Sequence, residues 1–187
     1  MRKKDDEKQN SIKKAVISSI LKEGLHGTSM SKIAKEAGVS PATVYIYYQN
    51  KEMMLQDIYR EYSEDIFSYL LDKTNKDMNG KELIEVLIKS YYVYIKDNEE
   101  IFNFVEQFSC CPVLSNQCET MKGIFSIYSL FDDLKRKKII KNYRNDSLSA
   151  IIFSPIKYIS SNHCIEEEER ENILEEMIKI IQDALLV

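Results

Sequence analysis

Apolar side chains recur along most of this chain at intervals of three and four residues, the spacing that places them on one face of an α-helix. Between residues 10 and 24, for example, the recurring positions include Ile12, Val16 and Ile20. Alternating patterns typical of strands are scarce, and the 187 residues include only 5 glycines and 3 prolines. The pattern therefore predicts an all-α protein.

Glycine, proline and asparagine residues divide this periodic sequence into separate helices. One short helix is predicted to begin at Pro41 and to end before Asn50. The other predicted helices cover residues of about 10–24, 29–37, 51–75, 81–96, 99–108, 117–137, 146–161 and 166–186.

The join between the second and third predicted helices has a recognisable order of residues: glycine, apolar residue, capping residue, proline. Gly38 accepts the left-handed backbone conformation that ends a helix, and Val39 fills the space between the two helices. Ser40 caps the next helix, and Pro41 suits its first position, where no backbone donor is needed. This order predicts a tight turn between two short helices.

The helix that begins at Pro41 has two dissimilar sides. A rotation of about 100° per residue places Val44 and Tyr48 on the side that packs against a neighbour. The opposite side and its flanks carry small or apolar side chains and two phenols: Ala42, Thr43, Ile46, Tyr45 and Tyr47. Such a helix suits the DNA major groove, with the phenols placed to donate hydrogen bonds to phosphates.

The side chains on this exposed side predict which base pairs the helix contacts. Ala42 and Ile46 offer methyl groups, which suit the methyl groups of thymine, and Thr43 can bond to a base edge or a phosphate. We therefore expect an operator rich in A·T pairs, with part of the discrimination coming from DNA shape.

At these residues the chain resembles the DNA-binding domain of the TetR family of bacterial transcriptional repressors. The matching elements are EGLHGTS at residues 23–29, IAKEAGVS at 33–40 and TVYxYYxNKE at 43–52. The resemblance is carried by residues 10–55, and beyond them it extends only to size and helical pattern. It implies a three-helix DNA-binding domain with a helix-turn-helix at 1–51 and a larger helical domain for effector binding and dimerisation at 52–187.

The helix-turn-helix and the resemblance together define a set of candidate DNA contacts. Lys51 adds a positive charge at the start of a helix, where backbone amides also favour an anion. The candidate contacts are Thr28, Ser29, Ser40, Pro41, Ala42, Thr43, Tyr45, Ile46, Tyr47 and Lys51.

The charges are divided unevenly between the two parts of the chain. The net charge is -4, but residues 1–51 carry ten Lys and Arg against five Asp and Glu. Attraction to phosphate supplies most non-specific DNA affinity. The basic excess in residues 1–51 therefore favours an orientation in which the helix-turn-helix approaches double-stranded DNA before the acidic remainder of the chain does. Arg2, Lys3 and Lys4 form either an arm that reaches the DNA or an unstructured solubilising end.

The sequence also excludes several classes of function. It has no unbroken apolar run of about 18 residues and no signal peptide, so we expect a soluble cytoplasmic protein with no membrane partner. It has no phosphate-binding glycine loop and no motif-placed Ser-His-Asp or Cys-His pattern, so we expect no enzyme activity, cofactor or metal.

The resemblance implies a homodimer whose interface is a four-helix bundle made from the last two helices of each copy. Both helices carry more apolar surface than packing on one side requires, although they could instead only close the core of the monomer. The predicted interface residues are Ile152, Ile156, Ile159, Ile173, Met177, Ile178, Ile181 and Leu185.

Aromatic and methionine side chains in the central helices suit a pocket for a flat or apolar small molecule. The same residues would also suit an ordinary core. The candidates are Tyr91, Tyr92, Phe102, Phe108, Met121, Phe125 and Tyr128.

The resulting hypothesis is a dimeric repressor that binds a palindromic operator and leaves it when an effector changes the separation of the two reading helices. Two alternatives stay open. One is a thiol- or metal-sensing repressor that uses Cys110, Cys111 and Cys118. The other is a protein of the same fold that acts as a co-activator through a protein partner.

Overall fold

The computed structural model describes residues 2–75, 77–109 and 121–187, with side chains from residue 5 onward. The described residues form α-helices joined by short loops, and one isolated bridge pairs Ile140 with Leu186. The predicted all-α fold is confirmed. The helices are α1 Arg2–Gly27, α2 Met30–Glu36, α3 Pro41–Tyr47, α4 Lys51–Asp72, α5 Gly80–Asp97, α6 Glu99–Ser109, α7 Lys122–Arg136, α8 Asn145–Ser161 and α9 Glu167–Leu185.

The chain divides into two compact units. The first unit comprises Met1–Ser63 and Glu100–Thr120, and the second comprises Glu64–Glu99 and Met121–Val187. Helix α4 supplies residues to both units. The predicted domain boundary between residues 51 and 52 stays a prediction.

In the first unit, α2 packs against both α1 and α3. The predicted apolar face of α1 is buried, since Ile12, Val16 and Ile20 are each at most 1% exposed. Ile33 of α2 and Val44 of α3 are fully buried as well. These contacts hold the two short helices in place, because seven-residue helices are marginal on their own.

Helix α1 differs from its prediction at both ends. It begins at Arg2, so the prediction that Arg2, Lys3 and Lys4 lie outside a helix is wrong. Asp5 lies in the first turn, where the positive end of the helix dipole favours a carboxylate. The predicted end at Gly24 is a kink with φ 71° and ψ 176°, and the helix continues to Gly27.

An ion pair within the first unit joins α1 to α4. The Lys13 ammonium contacts Glu61, and the two side chains are 8% and 44% exposed respectively. Lys13 lies on the same helical face as Val16, Ile17 and the rest of the buried stripe, which explains its burial. The carboxylate partner offsets part of the cost of taking this ammonium out of water.

In the second unit, α8 packs against α5, α7 and α9, and α9 also packs against α5. Helix α5 begins with a capping box in which Asn79 accepts from the backbone amide of Glu82 and the Glu82 side chain accepts from Asn79. The core side chains are Leu87, Ile88, Leu148, Ile156, Ile181 and Leu185. None of the described helices is both long and apolar enough to cross a bilayer.

The start of α7 is capped by a side chain of α4. The two carboxylate oxygens of Glu64 accept from the backbone amides of Lys122 at 2.6 Å and Gly123 at 2.7 Å. Position 123 must be small, because a Cβ there would lie 2.5 Å from Cβ of Phe67. Glu64 and Gly123 therefore tie α4 closely to α7.

Replacement of Glu64 by alanine should lower the free energy of unfolding of the second unit. The change removes two hydrogen bonds to a charged acceptor, and we expect a loss of about 1–3 kcal/mol. Urea denaturation monitored by circular dichroism measures it. Glu176→Ala, at an exposed position of α9, is the control and should change stability by less than about 0.5 kcal/mol. Equal losses in the two variants would contradict a capping role for Glu64.

Candidate DNA-binding site

The turn between α2 and α3 has the predicted backbone. Ser29 caps α2 by accepting from the backbone amide of Lys32 at 3.3 Å. Gly38 has φ 68°, the left-handed conformation expected after the helix end. The amide of Val39 then donates to the Ala34 carbonyl at 2.9 Å, which closes the turn.

Helix α3 is fixed at its first turn by side-chain caps. The Ser40 hydroxyl accepts from the backbone amide of Thr43 at 3.1 Å and also contacts the Thr43 hydroxyl at 2.9 Å. Pro41 occupies the first turn, as predicted. These contacts start the helix at one residue and thereby fix which side chains face outward.

The side chains on the two sides of α3 differ strongly in solvent exposure. Val44 is fully buried and Tyr48 is 5% exposed, whereas Ile46 is 79% exposed and Tyr45 is 54% exposed. Ala42 is exposed beside them. Helix α3 therefore carries a buried side and, opposite it, an exposed side with two large side chains, Tyr45 and Ile46.

Tyr47, on the flank of α3, contacts the first turn of α1. Its hydroxyl donates to the Asp5 carboxylate and lies 3.3 Å from the Asp5 carbonyl oxygen. The hydrogen bond to Asp5 raises the pKa of Tyr47, with burial as a further cause. Sequence reasoning missed Asp5, because the two residues are 42 positions apart and no local pattern links them.

Two predicted contacts turn inward. Thr28 is 3% exposed, and its hydroxyl donates to the Gly24 carbonyl at 2.9 Å. The Lys51 ammonium donates to the carbonyls of Leu25 at 2.8 Å and Thr28 at 3.0 Å. The prediction that the Thr28 side chain contacts DNA is therefore corrected, because this buried side chain has a structural role. A phosphate contact by Lys51 stays a prediction. Lys51 also places a positive charge at carbonyls that end α1, where a cation is favourable.

The predicted effector residues are divided between the two compact units. Tyr91, Tyr92 and Met121 are buried in the second unit, whereas Phe102 and Phe108 are buried in the first. Tyr128 is partly exposed and its hydroxyl donates to Asp146 at 2.8 Å.

The prediction that Phe125 lines an interior effector pocket is corrected. It is 55% exposed, because Ile127, two positions further along, takes the buried side of α7. Among the remaining candidates, Tyr91 packs edge-on against Phe153 with ring centroids 5.0 Å apart, as an ordinary core residue does. Tyr92 also borders a groove of about 470 Å³ that Leu174 and Glu175 of α9 line from the other side.

The predicted dimer-interface residues divide by burial. Ile173 and Met177 are partly exposed and remain candidates. The other six are each at most 3% exposed in the monomer, so the prediction is corrected for them: Ile152, Ile156, Ile159, Ile178, Ile181 and Leu185. Their physical role is to hold α5, α8 and α9 together.

A different apolar stripe on the same two helices faces outward. On α8 it includes Ile151, 38% exposed, and Tyr158, 69% exposed. On α9, Ile180 is 52% exposed and follows Ile173 and Met177 at helical spacing. Sequence reasoning listed two of these five, since it had no means to distinguish the outward stripe from the inward one.

The cysteines of the sensing hypothesis, Cys110, Cys111 and Cys118, lie outside the described residues. Cys164 is described, and it is exposed and free. Beside it, Nε2 of His163 lies 3.3 Å from a Glu99 carboxylate oxygen. Within the described ranges, no three His, Cys, Asp or Glu side chains are grouped as metal ligands.

The segment that contains the helix-turn-helix matches a known protein family. Residues 14–58 match the model of the bacterial regulatory proteins of the tetR family. This segment spans the second half of α1, all of α2 and α3, and the start of α4.

Curated relatives and solved structures agree with the family match. A fatty acid metabolism regulator protein of Bacillus subtilis is 30% identical over 78 residues, 42% of this chain and 40% of that protein. A negative transcriptional regulator of the biofilm operon icaADBC of Staphylococcus epidermidis is 29% identical over 94 residues, 50% and 49% of the two chains. The chain spans about half the length of the curated relatives it matches. A crystal structure of a TetR family transcription regulator from Marinobacter aquaeolei covers 100% of this chain and 99% of its own, with 25% identity and a TM-score of 0.82.

Proposed function

We infer, from the premise that this chain belongs to the TetR family of bacterial regulatory proteins, that it is a repressor that binds operator DNA and is released by a small molecule. The observation that carries this inference is the exposed side of α3. Ile46 and Tyr45 project from a capped helix whose other side is buried, within the segment that matches the family model.

In the proposed complex, α3 lies in the major groove. Ala42 and Ile46 approach base edges, where their methyl groups fit the methyl of thymine. Ser40 and Thr43 present hydroxyls at the start of the helix, and Tyr45 and Tyr47 reach phosphates on either side. We therefore expect A·T pairs under α3.

The charge distribution supports this orientation. Residues 1–51 carry an excess of basic residues, whereas the whole chain has a net charge of -4. A DNA duplex attracts the basic part and repels the acidic remainder, so the molecule approaches with α3 first. The repulsion also weakens contacts in wrong orientations.

We propose that two copies pair through the outward stripe of α8 and α9. The stripe contains Ile151, Tyr158, Ile173, Met177 and Ile180. Isolated exposed apolar residues are common, but a stripe on two adjacent helices marks a protein interface. Pairing presents two copies of α3, which a palindromic operator requires.

The proposed effector is an apolar small molecule that binds one conformation of the dimer better than the other. The curated relatives include a fatty acid metabolism regulator, which supports this chemistry. A long-chain fatty acid is thus the first probe, added to the protein–DNA complex in a mobility shift. Retention of the complex with every apolar compound would contradict this part of the proposal.

Binding to DNA upstream of its own gene tests the proposed function. We expect specific binding at 50 mM salt and, if about six phosphates are neutralised per dimer, an affinity about a thousandfold lower at 200 mM. A mobility shift measures both, and a nuclease footprint shows whether the protected site is rich in A·T. A scrambled fragment of equal composition is the control. Failure to bind any promoter fragment at 50 mM salt would refute the proposed function.

A further inference from the structure

We propose that the Asp5 carboxylate occupies the position of a DNA phosphate on Tyr47, so that operator binding must displace it and Asp5 sets the operator affinity. This inference rests on the proposed function, since it concerns how strongly the same surface binds DNA. It assigns a competing role to an acidic residue in a basic part of the chain.

The contact joins the first turn of α1 to the flank of α3. The Tyr47 hydroxyl donates to the Asp5 carboxylate, and the Asp5 carbonyl oxygen lies 3.3 Å away. Asp6, next in the chain, adds a second negative charge near the same hydroxyl. The Asp5 side chain is exposed, and Tyr47 is partly exposed, so the pair lies at the protein surface.

A phenol has one proton to donate. While the Tyr47 hydroxyl donates to Asp5, it cannot donate to a phosphate oxygen. Carboxylate and phosphate are both anionic acceptors, and hydrogen bonds to either are stronger than bonds to neutral acceptors. The Asp5 bond must therefore break before Tyr47 can bind DNA, and this cost is subtracted from the binding free energy.

Electrostatic repulsion adds to the competition. A phosphate that approaches Tyr47 also approaches the charges of Asp5 and Asp6, and two unit charges 4 Å apart in water repel by about 1 kcal/mol. The first turn of α1 must then move, or the phosphate contact is lost. Either way, Asp5 weakens binding more than a charge placed elsewhere on the turn.

Asp5→Asn tests this role, with Asp6→Asn and Glu7→Gln as matched controls. Each variant removes one negative charge from the same turn and replaces it with an amide of similar shape. Binding to the operator fragment is measured by fluorescence anisotropy at fixed salt. We expect Asp5→Asn to tighten binding about three- to tenfold more than either control, because two copies of the bond are weakened per dimer.

A double-mutant cycle separates the hydrogen bond from general charge. In a Tyr47→Phe background the hydroxyl is absent, so Asp5→Asn should have no larger effect than the two controls. Asp5→Glu keeps the carboxylate and should bind DNA as the wild type does. Circular dichroism checks that every variant is folded.

The outcomes distinguish the two proposals. If the wild type binds DNA and Asp5→Asn equals its controls, or keeps its full effect without the Tyr47 hydroxyl, the role of Asp5 is refuted and the proposed function stands. If the wild type and all variants fail to bind DNA, both are refuted. Binding that is measurable in the wild type and tighter in Asp5→Asn than in both controls would support the competition.

Discussion

Ile46→Glu should sharply weaken operator binding while the protein stays folded. Ile46 is 79% exposed on α3, so the change removes little packing from the monomer. In the proposed complex it replaces an apolar contact by a carboxylate directed at the groove, in both copies of the proposed dimer. Each poor contact costs about 1–3 kcal/mol, so two reduce the affinity by roughly thirtyfold or more. A mobility shift measures the loss.

Val187→Glu is the matched control, because Val187 is a β-branched apolar residue that is 81% exposed in the second unit. It adds the same charge and should lower affinity by less than about twofold at moderate salt. If both variants bind DNA as tightly as the wild type, α3 does not read the groove. If Ile46→Glu unfolds the protein, the exposure of Ile46 is not as described.

Ile180→Glu should separate the dimer. Ile180 lies in the middle of the outward stripe of α9 and is 52% exposed in the monomer. Full burial of an isoleucine contributes about 1.5–3 kcal/mol, and Ile180 has about half of its surface left to bury in each of two copies, so we expect dissociation to become easier by roughly tenfold or more. Analytical ultracentrifugation over a range of concentrations measures the change.

The control for Ile180→Glu is Val93→Glu on α5, an apolar residue that is 42% exposed and outside the stripe. It should leave the dimer intact. The monomeric variant should also lose affinity for a palindromic operator while retaining weak binding to a single half-site. A dimer of unchanged strength would show that this stripe is not the interface.

The turn between α2 and α3 was predictable because its causes are local. Gly38, Ser40 and Pro41 act on their own backbone or on amides within three residues, and these effects follow from residue type and spacing. The burial of Val44 and the exposure of Ile46 follow from the same helix phase. The buried and exposed sides of α3 were therefore predictable from the sequence, whereas DNA contact by the exposed side stays a prediction.

Contacts between distant segments were not predictable in this way. Tyr47 meets Asp5, and the Lys51 ammonium meets the carbonyls of Leu25 and Thr28. Both residues lie at positions that a local pattern assigns to phosphate, and a single sequence does not show which partner another helix brings to them.

The outward stripe of α8 and α9 was identified only in part, for a related reason. Both helices are apolar on two sides, since Ile152 is buried while the adjacent Ile151 is 38% exposed. Periodicity identifies an apolar face but does not show whether the same chain or another copy covers it. The burial values assign the first to the core and leave the second for a partner.

The pair formed by Lys13 and Glu61 constrains the order in which these positions change during evolution. Loss of Lys13 leaves a carboxylate that is 44% exposed and still hydrated, whereas loss of Glu61 strands an ammonium that is 8% exposed. An unpaired buried charge costs several times more than an unpaired hydrated one. Lineages that abandon this pair are thus expected to substitute the lysine first, and ancestors with a neutral residue at position 61 and lysine at position 13 should be rare.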